Sequence, residues 1–247
     1  MSDAIAILPA RGGSKRIEHK NCKTFCGRPV IEYSIEAARE SGCFRRVVVS
    51  TDDDDILRIS KAAGADVFWR SPRYATDKAI MAEAVIECLR AYGKKGEIFD
   101  HGCVLYPVAP FITPARLREG LAKLTEGYEV VCPVWRGPAV ERSMVLEGGR
   151  LSSRFPEFNG VNSNGWPDSY YHAGQWFWFD ATALILNETL MPEKTGAVVI
   201  DRNEAVDIDT IEDWRWAERL YSAAHPEEIS HRLQGLVLEM ARDSALE

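Results

Sequence analysis

Short apolar runs alternate with segments of helical spacing along most of this 247-residue chain. The runs at 46–50, 129–134 and 197–200 are rich in valine, which is typical of strands buried on both faces of a parallel sheet. Segments with apolar residues every three or four positions, such as 29–38 and 79–92, favour helices between those strands. The alternation predicts an α/β fold in which helices cover both faces of a mostly parallel, twisted sheet.

Local signals refine the helix boundaries. Pro29 suits a helix start and Gly42 a helix end, because proline lacks the N–H that a first turn leaves unpaired and glycine accepts a left-handed conformation. The aspartate run 52–55 follows a predicted strand, where acidic side chains could ligate a metal. Capping is the stronger interpretation: Thr51 or Asp52 begins the next helix, and acids in its first turn suit the helix dipole.

The other predicted elements complete the same alternation. Predicted strands cover 4–9, 65–69, 103–106 and 175–179, and predicted helices cover 56–63, 114–124, 211–223 and 226–243. Residues 136–170 are rich in glycine, proline, asparagine and serine, and are predicted to be an excursion from the main sheet. We therefore expect one domain over 1–224, containing that excursion, and a helical extension over 225–247.

The charge of the chain limits its partners. Lysine and arginine number 30 against 37 aspartates and glutamates, so the formal net charge is −7 at pH 7. Such a chain has no basic field that would attract a nucleic-acid backbone or an anionic membrane, and the sequence predicts neither partner. Its local cations are therefore expected to serve a small anionic ligand.

Two further patterns favour the cytoplasm. The N-terminal apolar run is too short for a signal peptide or a membrane span. The six cysteines are scattered, and Cys22 and Cys26 have no second close pair with which to form a zinc site. We expect reduced, mostly buried thiols and a cytoplasmic protein.

The first predicted strand leads into Arg11-Gly12-Gly13-Ser14-Lys15, a loop with two glycines, a hydroxyl and cations. Adjacent glycines let backbone N–H groups approach an anion without interference from Cβ atoms, and the cations add charge. The spacing matches neither the dinucleotide pattern G-x-G-x-x-G nor the P-loop pattern G-x-x-x-x-G-K-[ST]. The loop predicts a polyphosphate site, with a surface loop that is basic by chance as the alternative.

A pair of carboxylates stands near the other end of the chain. In an extended segment Asp207 and Asp209 share a face, because side chains two apart point the same way. Hard oxygen ligands together with substrate phosphates are the usual way in which proteins bind Mg²⁺. The pair therefore predicts a magnesium site, with an exposed edge strand as the alternative. Thr210 and Asp213 are expected to form an imperfect capping box for the helix that follows.

Five sequence blocks occur in order over nearly the whole chain. They are 8–15 (LPARGGSK), 20–21 (KN), 49–52 (VSTD), 70–72 (RSP) and 206–210 (VDIDT). Together they resemble the acylneuraminate cytidylyltransferases, the CMP-sialic acid synthetases, and the first and last blocks are the most specific. The resemblance implies the Rossmann-like fold of nucleotide-diphospho-sugar transferases, with a small dimerisation arm at about 136–170.

Two segments are similar to one branch of that family, the pseudaminic acid cytidylyltransferases. Residues 106–111 read YPVAPF where that branch typically has Y-A-x-A-P-F, and 173–178 read AGQWFW where it has A-G-Q-F-Y-W. The sialic acid enzymes usually have Q-P-T-S-P and N-G-A-[IV]-Y at these places. His172 departs from the pseudaminic acid branch, in which an aspartate usually precedes A-G-Q, and this departure leaves the identity of the sugar acid open.

The resemblance implies that the anomeric hydroxyl of a nine-carbon sugar acid attacks CTP, with release of pyrophosphate and no covalent enzyme intermediate. It assigns catalysis to Lys20, Arg11 and Asp209, and Mg²⁺ binding to Asp207 and Asp209. Lys20 is expected to stabilise the charge that develops around the α-phosphate and the departing pyrophosphate. The implied CTP-binding residues are Arg11, Gly12, Gly13, Ser14, Lys15, Asn21, Arg70 and Asp77, and the implied sugar-binding residues are Tyr106, His172 and Gln175. Helix capping is an equal alternative for Asp77.

The resemblance also implies a homodimer. The arm over about 136–170 is expected to reach toward the active site of the partner subunit. Three of its arginines, Arg136, Arg142 and Arg154, are candidates to meet the sugar carboxylate, although a solvated loop arginine is the default interpretation for each.

Other functions remain open at this point. N-acetylneuraminate, legionaminate or 3-deoxy-octulosonate could be the acceptor, and a sugar 1-phosphate nucleotidyltransferase would keep the loop and the acids while changing the sugar side. A nucleotide-binding scaffold without turnover is the non-enzymatic alternative. Lys20, Asp207 and Asp209 favour the enzyme, because binding alone does not require the carboxylate pair.

Overall fold

The chain is described by a computed structural model that covers residues 3–76, 78–162, 164, 166–230 and 232. In these residues the strands are β1 (Ala4–Pro9), β2 (Thr24–Phe25), β3 (Arg28–Pro29), β4 (Arg46–Thr51), β5 (Asp66–Trp69), β6 (His101–Leu105), β7 (Val130–Gly137), β8 (Met144–Glu147), β9 (Arg150–Ser153), β10 (Ser169–His172), β11 (Trp176–Asp180) and β12 (Thr195–Val199). The α-helices are α1 (Val30–Ser41), α2 (Asp54–Ala62), α3 (Met81–Gly93), α4 (Pro114–Leu124), α5 (Ala181–Asn187) and α6 (Ile211–Ala224).

Eight of the described strands form the central sheet, in the order β10-β7-β11-β6-β1-β4-β5, with β12 also paired to β7. β1 is parallel to β4 and β6, β4 is parallel to β5, and β12 is parallel to β7. β11 is antiparallel to β6 and β7, and β10 is antiparallel to β7. The prediction of a mostly parallel sheet is confirmed, with β10 and β11 running in the opposite direction.

The central strand β1 explains why helices cover both faces. Its side chains alternate, since Ala4, Ala6 and Leu8 belong to one core whereas Ile5 and Ile7 belong to another. The first core is closed by α1, α2 and α4, and the second by α3 and α5. Because successive side chains of a strand point to opposite faces, a strand that is apolar throughout needs cover on both.

A third, smaller core connects the two ends of the chain. Phe25 on β2 packs edge-on against Trp214 and Tyr221 of α6, and both pairs of ring centroids are 5.6 Å apart. Val206 and Ile208, which precede α6, are buried in the same cluster. The segment after β1 is thereby held next to the segment before α6, at the carboxyl ends of the parallel strands, where ligands of such sheets bind.

The helix ends match the predictions except at α2. Gly42 follows α1 with a φ of 66°, as expected of a left-handed cap. Neither Thr51 nor Asp52 caps α2, contrary to the prediction. Asp53 is the cap, because its Oδ1 accepts hydrogen bonds from the N–H groups of Asp55 (2.9 Å) and Ile56 (3.0 Å). Asp52 faces the loop after β1 instead.

The end of the described chain is helical. The capping box of α6 is complete rather than imperfect, because Thr210 Oγ1 accepts from the Asp213 N–H and the Asp213 side chain accepts from the Thr210 N–H. Of the predicted helix 226–243, residues 226–230 are helical, while 231 and 233–243 lie outside the described residues. Over the part of the chain that the structure describes, no helix is both long and apolar enough to cross a membrane.

The predicted excursion contains a small hairpin. β8 and β9 pair with each other and not with the central sheet. Met144, Leu146 and Leu151 are 58%, 68% and 60% exposed. Leu146 pairs with Leu151 across the ladder and Met144 lies two residues before Leu146, so the three side chains share one surface, here named the hairpin face.

Candidate active site

The loop after β1 borders a polar cavity of about 400 Å³. The cavity is lined by Pro9, Arg11, Ser14, Lys15, Arg16, Lys20 and Asn21. Asn21 Nδ2 donates a 2.8 Å hydrogen bond to the Arg11 carbonyl, and the Ser14 N–H donates a 2.9 Å bond to the Gly12 carbonyl, so the loop has a defined shape. The sequence-predicted cations therefore lie around one cavity, where their summed field favours a polyanion.

The two glycines of the loop differ in their surroundings. The Gly12 N–H donates to Asp52 Oδ1 at 3.0 Å, and a Cβ at Gly12 would come within 2.5 Å of Asp53 Oδ2. A Cβ at Gly13 would meet nothing within 4 Å. The Gly12 amide is bound to Asp52, so an anion that reaches this amide must displace the carboxylate, and the prediction that both amides bind the triphosphate stays a prediction.

Lys20 connects the loop to the far end of the chain. Its Nζ lies 3.5 Å from Asp209 Oδ1, and Arg16 Nη2 lies 2.8 Å from the same oxygen. Burial lowers the pKa of Lys20, although the charges of Asp209 and Asp207 act in the opposite direction. Two predicted catalytic residues thus meet at the rim of the polar cavity.

Asp207 and Asp209 lie on one side of the extended segment before α6. Val206 and Ile208 are buried, while the two aspartates between and after them are not, which is the alternation that the spacing predicts. The pKa of Asp207 is raised, first by loss of water and then by the charge of Asp209. A divalent cation would relieve this repulsion, and two carboxylates are donors that Mg²⁺ prefers.

These carboxylates fit Mg²⁺ only together with a phosphate-bearing substrate. Among the residues that the structure describes, no group of three or more His, Cys, Asp or Glu side chains could hold a metal ion. Mg²⁺ commonly takes one or two protein carboxylates and completes its shell with water and substrate phosphates. The cationic cavity beside Asp209 is the place where such phosphates would lie.

Gly174 forms the surface against which Asp207 lies. Its φ is +67°, and a Cβ there would stand 2.8 Å from Asp207 Cγ. Its N–H donates to His172 Nδ1 at 3.1 Å. Sequence reasoning missed this residue as part of the site, although its place within A-G-Q, between two runs of strand-forming residues, was a signal for a bulge.

A second cavity of about 200 Å³ adjoins the first, since Pro9 and Arg11 line both. Its other lining residues are Arg70, Tyr74, Thr76, Ala79, Ile80, Met81 and Ala84. Arg70 is 4% exposed and donates from Nε to Ser50 Oγ (3.1 Å) and from Nη2 to the Ser50 carbonyl (2.7 Å). Burial lowers its pKa. A fixed guanidinium beside apolar side chains suits a planar polar ring. Asp77 lies outside the described residues.

Tyr106, His172 and Phe177 form an aromatic group on the sugar side predicted from the sequence. The rings of His172 and Phe177 stack with centroids 4.4 Å apart, and the Tyr106 ring lies 6.0 Å from that of His172. Burial, and then the charge of Asp207, raise the pKa of Tyr106 to about 12, so its hydroxyl stays protonated at neutral pH. Loss of water lowers the pKa of His172, which favours the neutral ring at neutral pH, and in that ring Nδ1 accepts the hydrogen bond from the Gly174 N–H.

Gln175 is placed differently from its predicted role. The residue is 1% exposed, and its Nε2 donates to the Glu204 carbonyl. The backbone carbonyl of Gln175 accepts a 2.8 Å hydrogen bond from the Tyr106 N–H. This placement does not support the prediction that Gln175 contacts the sugar, because its amide faces the interior and is bound to the backbone just before Asp207.

The arginines of the excursion surround another cavity. Arg136 and Arg142 line a volume of about 450 Å³ together with Trp166 and Asp168. Arg136 pairs with Asp168, and the Arg142 guanidinium lies 5.8 Å from the Trp166 ring centre. Arg154 contributes its backbone N–H to the Ser143 carbonyl. The structure therefore brings the first two arginines together, but at a cavity separate from the one beside Lys20.

Three polar residues of the site were not predicted from the sequence as functional. Asp52 binds the Gly12 amide, Ser50 holds Arg70, and Arg16 pairs with Asp209. Ser50 and Asp52 lie at the carboxyl end of β4, and polar residues at the end of a buried parallel strand were an available signal. Arg16 directly follows the predicted basic loop, and the sequence predicts no separate role for it.

Comparisons with known proteins place these residues in context. The profile of a family described as Cytidylyltransferase matches residues 5–98. Pseudaminic acid cytidylyltransferase of Campylobacter jejuni subsp. jejuni is 31% identical over 226 residues, which are 90% of this chain and 97% of that protein. CMP-N,N'-diacetyllegionaminic acid synthase of Legionella pneumophila is 32% identical over 221 residues, covering 87% and 95% of the two chains. N-acylneuraminate cytidylyltransferase A of Danio rerio is 31% identical over 218 residues, which are 87% of this chain and 50% of that protein.

Solved structures agree in fold. CMP:2-keto-3-deoxy-manno-octonic acid synthetase complexed with CTP superposes with a TM-score of 0.69 at 19% identity, covering 90% of this chain and 100% of that one. 4-Diphosphocytidyl-2C-methyl-D-erythritol synthase of Anaerococcus prevotii has a TM-score of 0.60 at 14% identity, covering 90% and 99%. At these identities the likeness concerns the architecture, and it confirms the predicted fold class.

Proposed function

Since this chain belongs to the cytidylyltransferase family, we propose that it transfers CMP from CTP to the anomeric hydroxyl of a nonulosonic acid and releases pyrophosphate. The observation that carries the proposal is the 3.5 Å contact between Lys20 and Asp209. It brings a cation and a carboxylate from opposite ends of the sequence to a cavity that Arg11, Lys15 and Arg16 also line. That combination suits a triphosphate bound together with a metal ion.

The polar cavity is assigned to the triphosphate. Arg11, Ser14 and Lys15 orient and neutralise the phosphates, and Lys20 stabilises the charge that grows around the α-phosphate as pyrophosphate leaves. A transfer of this kind depends on in-line positioning and on charge neutralisation, so it needs no nucleophilic side chain. The smaller cavity beside Arg70 is assigned to the nucleoside, with Ser50 fixing the guanidinium and Asn21 bracing the loop between the two cavities.

Asp207 and Asp209 are assigned to Mg²⁺. When bound, the ion neutralises phosphate oxygens and lowers the pKa of the attacking hydroxyl. The protein's own part is to place the two carboxylates: Gly174 supports Asp207, while Lys20 and Arg16 hold Asp209 toward the cavity. These contacts fix the carboxylates on the side of the segment that faces the phosphates.

Pseudaminic acid is the acceptor that we favour. Its support is the A-G-Q segment beside Tyr106 and the likeness in sequence to the Campylobacter jejuni enzyme. The Legionella pneumophila and Danio rerio relatives carry the names of legionaminic acid and N-acylneuraminate enzymes, and they make those sugars the main alternatives. His172 and Tyr106 would meet the sugar, with a neutral imidazole and a protonated phenol as polar groups.

Pyrophosphate release tests the reaction. The protein is incubated with Mg²⁺, each of the four NTPs and a panel of nonulosonic acids, 3-deoxy-octulosonate and sugar 1-phosphates. We expect release with CTP and pseudaminic acid. Release with CTP and a different sugar acid only would show that pseudaminic acid is not the acceptor. Nucleotide binding without release for any pair would favour a nucleotide-binding scaffold without turnover.

A homodimer formed through the hairpin face is a second part of the proposal. Met144, Leu146 and Leu151 expose apolar surface on a two-stranded hairpin, and such a patch is expected to be covered. Sedimentation velocity should find a dimer for the wild type and a monomer for the double variant Met144→Ser, Leu146→Ser. A monomeric wild type at micromolar concentration would contradict the dimer.

We also place the reaction in the cytoplasm. All six cysteines are free thiols, which is typical of a reducing compartment. Fractionation of cells with an antibody against the chain would test the location.

A further inference from the structure

We propose that Gln175 is a positioning residue that fixes the segment carrying Asp207 and Asp209, an inference that rests on the proposed function. The sugar-side motif led to the expectation that Gln175 touches substrate. Its buried amide instead reaches the backbone that presents the carboxylates. The proposed role is to set the geometry of the metal ligands, not to bind sugar.

The segment needs such support because it belongs to no strand. Residues 205–209 lie in no strand or helix. One end is held by Arg202 Nη1, which donates to the Ala205 carbonyl at 3.0 Å. The other end is held by Asp213, whose Oδ2 accepts from the Asp209 N–H at 3.1 Å. Individual hydrogen bonds and the burial of alternate side chains therefore decide where the two carboxylates stand.

Gln175 acts at the turn that starts the segment. The Glu204 carbonyl accepts from the Val206 N–H at 3.1 Å and from Gln175 Nε2. Both lone pairs of this carbonyl are thus used, and the turn immediately before Asp207 is closed from two directions. Removal of this donor leaves the carbonyl with the Val206 N–H alone, so the turn loses one of its two hydrogen bonds.

Gln175 is itself firmly placed. Its backbone carbonyl accepts a 2.8 Å hydrogen bond from the N–H of Tyr106, the residue that follows β6. The Asp207 carboxylate packs against the Cα of the neighbouring residue, Gly174. Two consecutive residues therefore set the position of Asp207. Gly174 contacts the Asp207 side chain, and Gln175 holds the backbone that precedes it.

The test compares Gln175→Met with Trp178→Phe in the metal-free full chain. Trp178 is a matched control, since its Nε1 is also a buried donor, at 3.0 Å from the Leu117 carbonyl. We expect hydrogen exchange of the amides in 205–209 to rise about 3- to 10-fold in Gln175→Met and to stay at the wild-type rate in Trp178→Phe. Peptides covering 11–21 should exchange as in the wild type in both variants.

The second measurement is the Mg²⁺ dependence of pyrophosphate release. Gln175→Met should raise the half-saturating Mg²⁺ concentration about 10-fold, with the affinity for CTP in EDTA unchanged, because the ligands are displaced while the phosphate cavity is intact. Gln175→Leu also removes the donor and adds no charge, so it should give the same shift and serves if the methionine variant does not fold.

Wild-type exchange at 205–209 in a folded Gln175 variant would overturn the positioning role. So would faster exchange with an unchanged Mg²⁺ dependence, since that result describes a purely structural amide. Failure of the proposed function is a separate result: the wild type itself would then release no pyrophosphate, and the exchange rates alone would decide whether Gln175 holds the segment.

Discussion

The carboxylate of Asp207 lies directly on the Cα of Gly174, with no room for a side chain between them. A Cβ at Gly174 would stand 2.8 Å from Asp207 Cγ and 3.0 Å from Oδ1. Glycine is required here for two reasons: any Cβ would clash with Asp207, and the φ of +67° is one that other residues seldom adopt. This contact places the bend between β10 and β11 against a carboxylate that we propose as a ligand of Mg²⁺.

Gly174→Ala should therefore cost more than backbone strain. Gly42 offers a matched control, since its φ is +66° and a Cβ there meets nothing within 4 Å. Both alanine variants should lose about 1–2 kcal/mol of unfolding free energy from the left-handed conformation. Only Gly174→Ala should also reduce kcat and raise the Mg²⁺ requirement, as measured by urea denaturation and pyrophosphate release. Equal kcat in the two variants would show that the contact with Asp207 has no catalytic consequence.

Asp209→Asn should reduce turnover far more than stability. The side chain is partly exposed, and its ion pairs with Arg16 and Lys20 are of a kind that adds about 0–1 kcal/mol. Loss of a metal ligand and of the charge beside Lys20 is expected to lower kcat on the order of 100-fold. Glu212→Gln, which removes an exposed acid from the first turn of α6, is the control and should leave kcat unchanged. Wild-type turnover in Asp209→Asn would refute the metal role.

Asp213→Asn should destabilise the fold at neutral pH but not in acid. Burial alone would raise the pKa of Asp213, but hydrogen bonds from Thr210 and Asp209 outweigh it and hold the pKa below its ordinary 3.8. A carboxylate with a depressed pKa stabilises the fold above its unfolded pKa, and that stabilisation is lost as the pH falls through the folded value.

Urea denaturation at two pH values checks this prediction. The wild type should exceed Asp213→Asn by about 1 kcal/mol at pH 7, the size of a helix cap. The difference should shrink as the pH is lowered below 3.8, where the wild-type carboxyl takes up its proton. A difference that persists undiminished under acid conditions would mean that the charge of Asp213 is not what stabilises the cap.

His172→Phe should weaken binding of the sugar acid and leave binding of CTP unchanged. Phenylalanine can keep the stack on Phe177, but it removes the Nδ1 that accepts from Gly174 and the polar edge that faces the sugar side. We expect KM for the sugar acid to rise about 10-fold while KM for CTP stays constant, because a polar contact to substrate is lost only on one side. His101→Gln, at the start of β6, is the control. A rise in KM for CTP alone would contradict the assignment.

The sequence anticipated features that depend on local pattern. The apolar run of β1 requires cover on both faces, and the alternation through Val206 and Ile208 turns two aspartates outward; both follow from the period of two in extended chains. The direction of β11 could not be read in this way. Trp176–Asp180 is buried whichever way it runs, so only its neighbours β6 and β7 decide that it is antiparallel.

Contacts between distant segments were the part that pattern could not supply. Asp52 was interpreted as a cap because its nearest neighbours form a helix, yet its partner is Gly12, 40 residues away. Gln175 was interpreted as a substrate contact because it stands in a motif, yet it binds the Glu204 carbonyl, 29 residues away. A short polar side chain has several partners of equal chemical merit, and the tertiary fold chooses among them.

The packing of Phe25 against Trp214 and Tyr221 has a consequence for the time at which activity begins. The cationic loop after β1 is synthesised well before both carboxylates and the helix that holds them, because it precedes them in the chain. During translation the sheet from β1 to β6 has its strands long before α6 exists. A nascent chain therefore displays a cationic loop before its acidic counterpart exists, and the two meet only when α6 packs against Phe25.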